Sequence, residues 1–255
     1  MHGNDGPRRA GRRSRAAALC VTAVAGATLL TGCSEDSPPP SVEFGSARPA
    51  GDRLGIQAPP NASVRLSQWP DGCKLLTNGE IQAFLPQAKS FEREPVKVSI
   101  LNFDPLAESD PGTTGDVPRG GCEFSFNLPD GGSSDYANSH ITVTVTALAD
   151  PALIAKRYDE DKQDKTKEKD FTDLAATWGP EGCYRVGGVT GDEVYCRQGP
   201  YLFELDGSSS AEGLVKDPGV GAKPAENLAA AEKRRTIWTE KALSQAARTV
   251  AARMS

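Results

Sequence analysis

Hydrophobic and polar positions divide this chain into stretches of different period. Residues 16–30 carry no charge and are rich in Ala, Val and Leu. A run of about fifteen residues suits the apolar core of a signal peptide and is short for a bilayer-spanning helix, which needs about 20. Residues 34–65 show no period, contain Pro38, Pro39, Pro40, Pro49, Pro59 and Pro60, and hold few large apolar groups. Such a segment buries too little surface to offset its ordering entropy, so it is expected to be an extended or disordered tether.

From residue 66 the pattern becomes regular. Thr77-Asn78-Gly79-Glu80 has capping-box spacing; Ile81, Phe84 and Leu85 then share one helical face, and Pro86 stops the helix. Val96, Val98 and Ile100 alternate with polar residues, as do Cys122, Phe124, Phe126 and Leu128, and then Ile141, Val143, Val145 and Ala147. A period of two predicts strands with one buried and one polar face, as in an antiparallel sheet. Pro129-Asp130-Gly131-Gly132 supplies a turn between the last two. Asp150-Pro151 reads as an N-cap and first helical position, opening a helix whose apolar face is Leu153, Ile154 and Tyr158. Strands are expected again over 184–189, 193–197 and 201–205, with a tight turn near Thr190-Gly191. In the last helix Leu228, Trp238, Ala242, Leu243, Ala246 and Val250 fall within an arc of about 140°, although Arg235 and Thr239 also lie in it.

The N-terminus changes the picture most. Arg8, Arg9, Arg12, Arg13 and Arg15 precede the apolar run, and Leu30-Thr31-Gly32-Cys33 ends it with small residues before a cysteine. This is the arrangement of a lipobox: a diacylglyceryl group alkylates the Cys33 thiol and the chain is cut between Gly32 and Cys33. Two acyl chains then hold stably where one anchors only marginally, at about 0.8 kcal/mol per buried CH₂. Arg12-Arg13 alone does not choose between export routes. The expected organisation is a signal peptide over 1–32, a lipidated cysteine and tether over 33–65, and one domain over 66–255. The anchored product belongs on the extracytoplasmic face of the cell membrane.

Removal of residues 1–32 takes five arginines and one aspartate, leaving 24 basic against 33 acidic residues, a formal charge of −9. An acidic domain lacks the clustered cations that nucleic-acid phosphates and anionic lipid surfaces require, so no nucleic-acid partner is expected and attachment is through lipid. Cys73, Cys122, Cys183 and Cys196 remain in an oxidising compartment, and four cysteines allow three pairings. Pairing nearest in sequence gives Cys73–Cys122 and Cys183–Cys196; free buried thiols or a metal site are the alternatives. With no CxxC pair and His140 as the single histidine of the mature part, no metal or cofactor site is assigned.

Motifs for chemistry are scarce. G-x-S-x-G, H-E-x-x-H and a phosphate-binding glycine loop are lacking, and Gly187-Gly188-Val189-Thr190-Gly191 reads as a hairpin turn. Asp104, Glu108, Asp110 and Asp116 form an acidic stretch without EF-hand spacing. Trp69, Trp178, Tyr184 and Tyr201 serve either a core or a pocket for lipid or glycan. The dense mixed charges over 156–170 read as a solvated helix face.

Asp71-Gly72-Cys73-Lys74-Leu75-Leu76-Thr77 with Glu80, followed by Gly121-Cys122-Glu123-Phe124, resembles the actinobacterial lipoproteins grouped as a domain of unknown function. In that family a cysteine before Leu-Leu-Thr begins the domain and a later cysteine precedes an aromatic-bearing strand. The resemblance covers about residues 66–255 and implies an envelope-attached α+β domain with a Cys73–Cys122 bridge. Phe124 stands where the family pattern carries Trp, and Cys183 and Cys196 are additions to it. No catalytic residue is implied.

The fold expected is therefore a single α+β domain, an antiparallel sheet covered on one side by helices, with a PsbP-like sandwich as one specific form. The function expected is a non-catalytic binding or accessory module of the envelope, engaging a protein, lipid or wall component. A regulatory or structural partner of a membrane protein is one alternative. The other is a carboxylate-based envelope enzyme, which predicts two acidic groups converging in a cleft with raised pKa.

Overall fold

Strand alternation sets the architecture. A computed structural model describes residues 41–101, 114–130, 136–187, 192–215, 219 and 221–255; the signal segment, Cys33 and the start of the tether lie outside them. Strands β1 (Lys89–Leu101), β2 (Thr114–Pro129) and β3 (Tyr136–Leu148) form one antiparallel meander. A second comprises β4 (Thr172–Asp173), β5 (Gly182–Gly187), β6 (Asp192–Gln198) and β7 (Tyr201–Ser209). Pairing of β3 with β7 joins them into a seven-stranded antiparallel sheet of order β1-β2-β3-β7-β6-β5-β4. The fold is α+β.

Register gathers the apolar phase on one face. Phe124 lies opposite Ile141, Val143 opposite Leu205, and Cys196 opposite Phe203. These residues are buried together with Phe126, Leu128, Val145 and Val194. Each such large apolar side chain contributes about 1.5–3 kcal/mol of transfer free energy.

Two helical groups cover that face. Helix α1 (Asn78–Phe84) starts at the capping box read from the sequence: Thr77 Oγ1 accepts from the Glu80 amide at 3.2 Å, and Glu80 Oε2 accepts from the Thr77 amide at 2.8 Å. The C-terminal helix consists of α4 (Pro224–Trp238), a π-turn (Thr239–Leu243) and α5 (Ser244–Met254). Trp238, Ala242, Leu243, Ala246 and Val250 pack in the core as expected, but Leu228 is 70% exposed. The π-turn accommodates an extra residue, so a single 100° wheel does not carry the stripe across it.

The opposite face is not bare. Helix α2 (Pro151–Lys165) begins with Asp150 accepting from the Ala152 amide at 2.8 Å, with Pro151 in the first turn. Its Ile154 and Tyr158 pack against Tyr184, Val186 and Leu202, which alternate with the core residues of β5 and β7 and so point the other way. Helices on both faces replace the one-sided cover expected from the sequence. The short α3 (Ala175–Trp178) places Trp178 back in the main core.

The expected tether is also corrected where it is described. Residues 41–65 lie against the domain instead of hanging free. Val42 and Val64 are buried, and amides of Val42, Gly45, Leu54 and Val64 donate to the carbonyls of Gly213, Phe84, Arg253 and Leu148. Extended backbone that finds acceptors on a finished domain is ordered without needing a core of its own.

Both nearest-neighbour disulfides are present, Cys73–Cys122 and Cys183–Cys196. The first depends on two glycines. A Cβ on Gly72 would come within 2.4 Å of the Gly121 carbonyl carbon, so only glycine lets the turn before Cys73 press onto β2.

Candidate functional site

The polar phase of strands β5, β6 and β7 contains a cluster of aromatics. Tyr184 of β5 lies opposite Tyr195 of β6 in register, and their rings stack with centroids 5.1 Å apart. Tyr158 descends from α2 onto Tyr184 at 5.4 Å, and Phe171 approaches the same ring at 5.9 Å. Leu202 of β7 and Thr146 of β3 continue the floor, and Asp161, Asp164 and Lys165 of α2 edge the opening. The space enclosed is a cleft of about 380 Å³. Its lining of apolar and aromatic groups with a few polar ones is that of a small-molecule pocket.

The polar groups around it carry an excess of negative charge. Glu204 of β7 is the cross-strand neighbour of Tyr195 on one side and of Thr144 on the other. Among the described residues, no hydrogen bond or ion pair reaches its carboxylate. Burial first, and then the charges of Glu193 and Asp206, push its pKa up to about 7. Asp206 is raised by burial as well, opposed by a Thr142 hydrogen bond and by His140. Asp161 is raised by burial despite its 2.9 Å ion pair with Arg157. The hydroxyls of Tyr158, Tyr184 and Tyr195 are all driven up, burial again being the largest cause. Tyr195 donates to Glu193 Oε2 at 2.6 Å, whereas the buried Tyr158 hydroxyl has no partner among the described residues.

Cations of the chain itself sit on the aromatic wall. Lys162 Nζ is 6.0 Å and Arg197 Cζ 5.6 Å from the centroid of the Tyr158 ring, within the range of cation–π attraction. Lys165 is turned toward Glu168, with Nζ 2.8 Å from its carboxylate. The cleft thus combines π-faces and an apolar floor, and an uncompensated carboxylate, Glu204, stands next to its Tyr195 in register.

No family model matches the chain, and no curated protein or solved structure matches it significantly. Its chemistry has to be argued from these residues.

The side chains singled out in the sequence divide between roles. Tyr184 lines the cleft, Tyr201 and Trp178 fill the main core, and Trp69 packs half-buried beside Val98 and Val117. His140 is half-buried on β3, on the polar face shared with Asp206. Asp116 binds Lys97 and Ser99, while Asp104, Glu108 and Asp110 lie outside the described residues. Gly188 and the next three residues also lie outside them; the strands on either side pair antiparallel up to Gly187 and Asp192. Lipidation at Cys33 falls outside as well.

Sequence reasoning missed Tyr195, Glu193 and Glu204 as site residues. Their alternation with Val194, Cys196, Phe203 and Leu205 marks them as the second face of the sheet. That α2 returns to roof this face is a tertiary fact with no local signal. Among the described residues no group of three or more His, Cys, Asp or Glu side chains is placed to hold a metal, and no helix is long and apolar enough to cross a membrane.

Proposed function

We propose that this chain is a lipid-anchored extracytoplasmic lipoprotein, displaying a non-catalytic binding module whose ligand enters the tyrosine cleft. The observation that carries the reading is the 380 Å³ cleft walled by Tyr158, Tyr184 and Tyr195. The basic N-terminus, the uncharged run and Leu30-Thr31-Gly32-Cys33 support anchoring through diacylglyceryl-Cys33. Two disulfides suit an oxidising compartment outside the membrane. The resemblance to the actinobacterial lipoproteins of unknown function agrees with that placement. Its partners on this reading are the membrane, through lipid, and an envelope ligand.

Two mass measurements on protein extracted from membranes test this. A diacylated species beginning at Cys33, with four further thiols appearing only after reduction, is expected; an unmodified chain would sink the anchor. Native mass spectrometry should then show a small molecule co-purifying with the wild type and missing from Tyr195→Leu. Identical spectra for both would count against the cleft as the binding site.

One observation favours the enzymatic alternative. Glu193 and Glu204 lie on neighbouring strands of the same sheet face, with Glu204 raised to about 7. Turnover of an envelope glycan or ester by the wild type, abolished in Glu204→Gln, would favour catalysis over binding.

A further inference from the structure

We infer that the cleft selects an organic cation, an alkylated or quaternary ammonium group carried on a small apolar body, seated on the tyrosine wall with its charge toward Glu204. This deepens the reading of the cleft as a ligand site and rests on it. Three independent features specify the occupant.

The first is the wall. Tyr184 and Tyr195 stack as neighbours and Tyr158 packs on Tyr184, and all three rings border one space. Aromatic surfaces of this kind attract cations more weakly hydrated than a bare ammonium, and methylated ammonium groups best of all. The chain's own Lys162 and Arg197 already lie over the Tyr158 ring.

The second is the unmatched charge. Asp161 is neutralised by Arg157, Lys165 is turned to Glu168, and Asp164 is paired with Lys167. Among the described residues, Glu193 receives only the neutral Tyr195 hydroxyl and Glu204 receives no hydrogen bond or ion pair. A desolvated carboxylate beside a second one is costly unless a positive charge arrives. The upward displacement of Glu204 and Asp206, by burial and by the Glu193 charge that acts on both, reports the same field.

The third is size and lining. The cleft has room for an apolar body beyond the charge, and Leu202 and Thr146 offer it a floor. A hydrated inorganic cation would leave the floor unused, and an anion would meet Asp161 and Asp164 in the lining and Glu204 beside Tyr195.

The test uses calorimetry on the full chain at about pH 8, where Glu204 is ionised, with three probes of similar shape: benzyltrimethylammonium, benzyl alcohol and benzoate. The cation is expected to bind at least about tenfold more tightly than the alcohol, with benzoate weakest. Glu204→Gln should weaken the cation about fivefold and leave benzyl alcohol unchanged, which also shows that the variant is folded. Tyr195→Leu should weaken both. Equal binding of cation and alcohol would overturn the charge preference while leaving the cleft a ligand site. Silence of all three probes would overturn the preference and the binding site together.

Discussion

Glu80 is the carboxylate on which the N-terminal segment, α1 and the C-terminal helix meet. Its Oε1 accepts from the amides of Ala50 at 3.0 Å and Gly51 at 3.3 Å, and its Oε2 from the Thr77 amide, the Thr77 hydroxyl and Arg253 Nη2 at 2.7 Å. Burial alone would push its pKa up, but the hydrogen bonds from Ala50, Arg253 and Thr77 outweigh it and hold the carboxyl below its ordinary 4.5. Its stabilisation is therefore complete above about pH 4.5 and is lost as pH falls through the lowered folded value. Glu80→Gln keeps the shape but leaves Arg253, only 6% exposed, without a counter-charge. Breaking one side of such a pair costs about 3–5 kcal/mol, and urea unfolding at neutral pH should show a loss of that order. Glu204 has the opposite sign. Because its folded pKa lies near 7 against an ordinary 4.5, the native state binds a proton that the unfolded chain has released. Stability from this group is full below about pH 4.5 and falls as pH rises through about 7. The charges acting on it are Glu193 of β6 and Asp206 of β7, and its own charge raises Tyr184 of β5 and Tyr195 of β6. Glu204→Gln is thus expected to stabilise the protein at pH 8 by roughly 2 kcal/mol, after allowance for solvent screening, and by almost nothing near pH 4.5. Thermal unfolding at the two pH values checks this, and an equal effect at both would refute the assignment.

Elements were legible in the sequence where a local rule decides them. The capping box at Thr77 and Glu80, the Asp150-Pro151 helix start and the period-two strands all reappear in the structure, because capping, fixed φ and side-chain alternation act within a few residues. The C-terminal helix was legible only in part. Arg235 and Thr239 spoil its apolar stripe, and the structure supplies the reason. Thr239 opens the π-turn and donates to Asp192 Oδ2 at 2.6 Å, while Arg235 Nε comes within 3.6 Å of the same carboxylate and Arg185 within 3.4 Å. Polar residues in the stripe thus serve a buried acid on β6 that no helical wheel registers. Thr239→Val preserves the side-chain shape and removes the donor, leaving Asp192, 4% exposed, one bond short. A loss of about 1–3 kcal/mol is expected in the denaturant midpoint with an unchanged slope. Since Asp192 points to the face covered by the C-terminal helix and the cleft lies on the face covered by α2, cation binding should not change. A loss of binding in this variant would mean that the two faces are coupled.

At the scale of the molecule, long-range pairing was the part hidden from the sequence. The two meanders are each suggested by alternation and turns, but nothing local says that β7 returns to β3 instead of extending the far edge. The cleft follows from that choice, because it brings Glu204 and Leu202 beside Thr144 and Ala147 under α2. Pairing the four cysteines nearest in sequence, by contrast, anticipated two tertiary contacts, and both lie in the main core. Cys73–Cys122 ties the turn before α1 to β2 across 49 residues, and Cys183–Cys196 joins register partners in β5 and β6 across 13. Loop-closure entropy then makes the first worth about 4 kcal/mol and the second about 3 kcal/mol. Together they amount to about 7 kcal/mol, comparable with the whole stability of an ordinary domain at about 5–15 kcal/mol. Guanidinium unfolding of the oxidised chain, the reduced chain and each paired Cys→Ala variant resolves the contributions. The Cys73→Ala/Cys122→Ala variant should lose more than Cys183→Ala/Cys196→Ala, and the reduced chain should unfold with little or no added denaturant. A reduced chain as stable as the oxidised one would remove the need for an oxidising compartment, and with it the physical link between these staples and export.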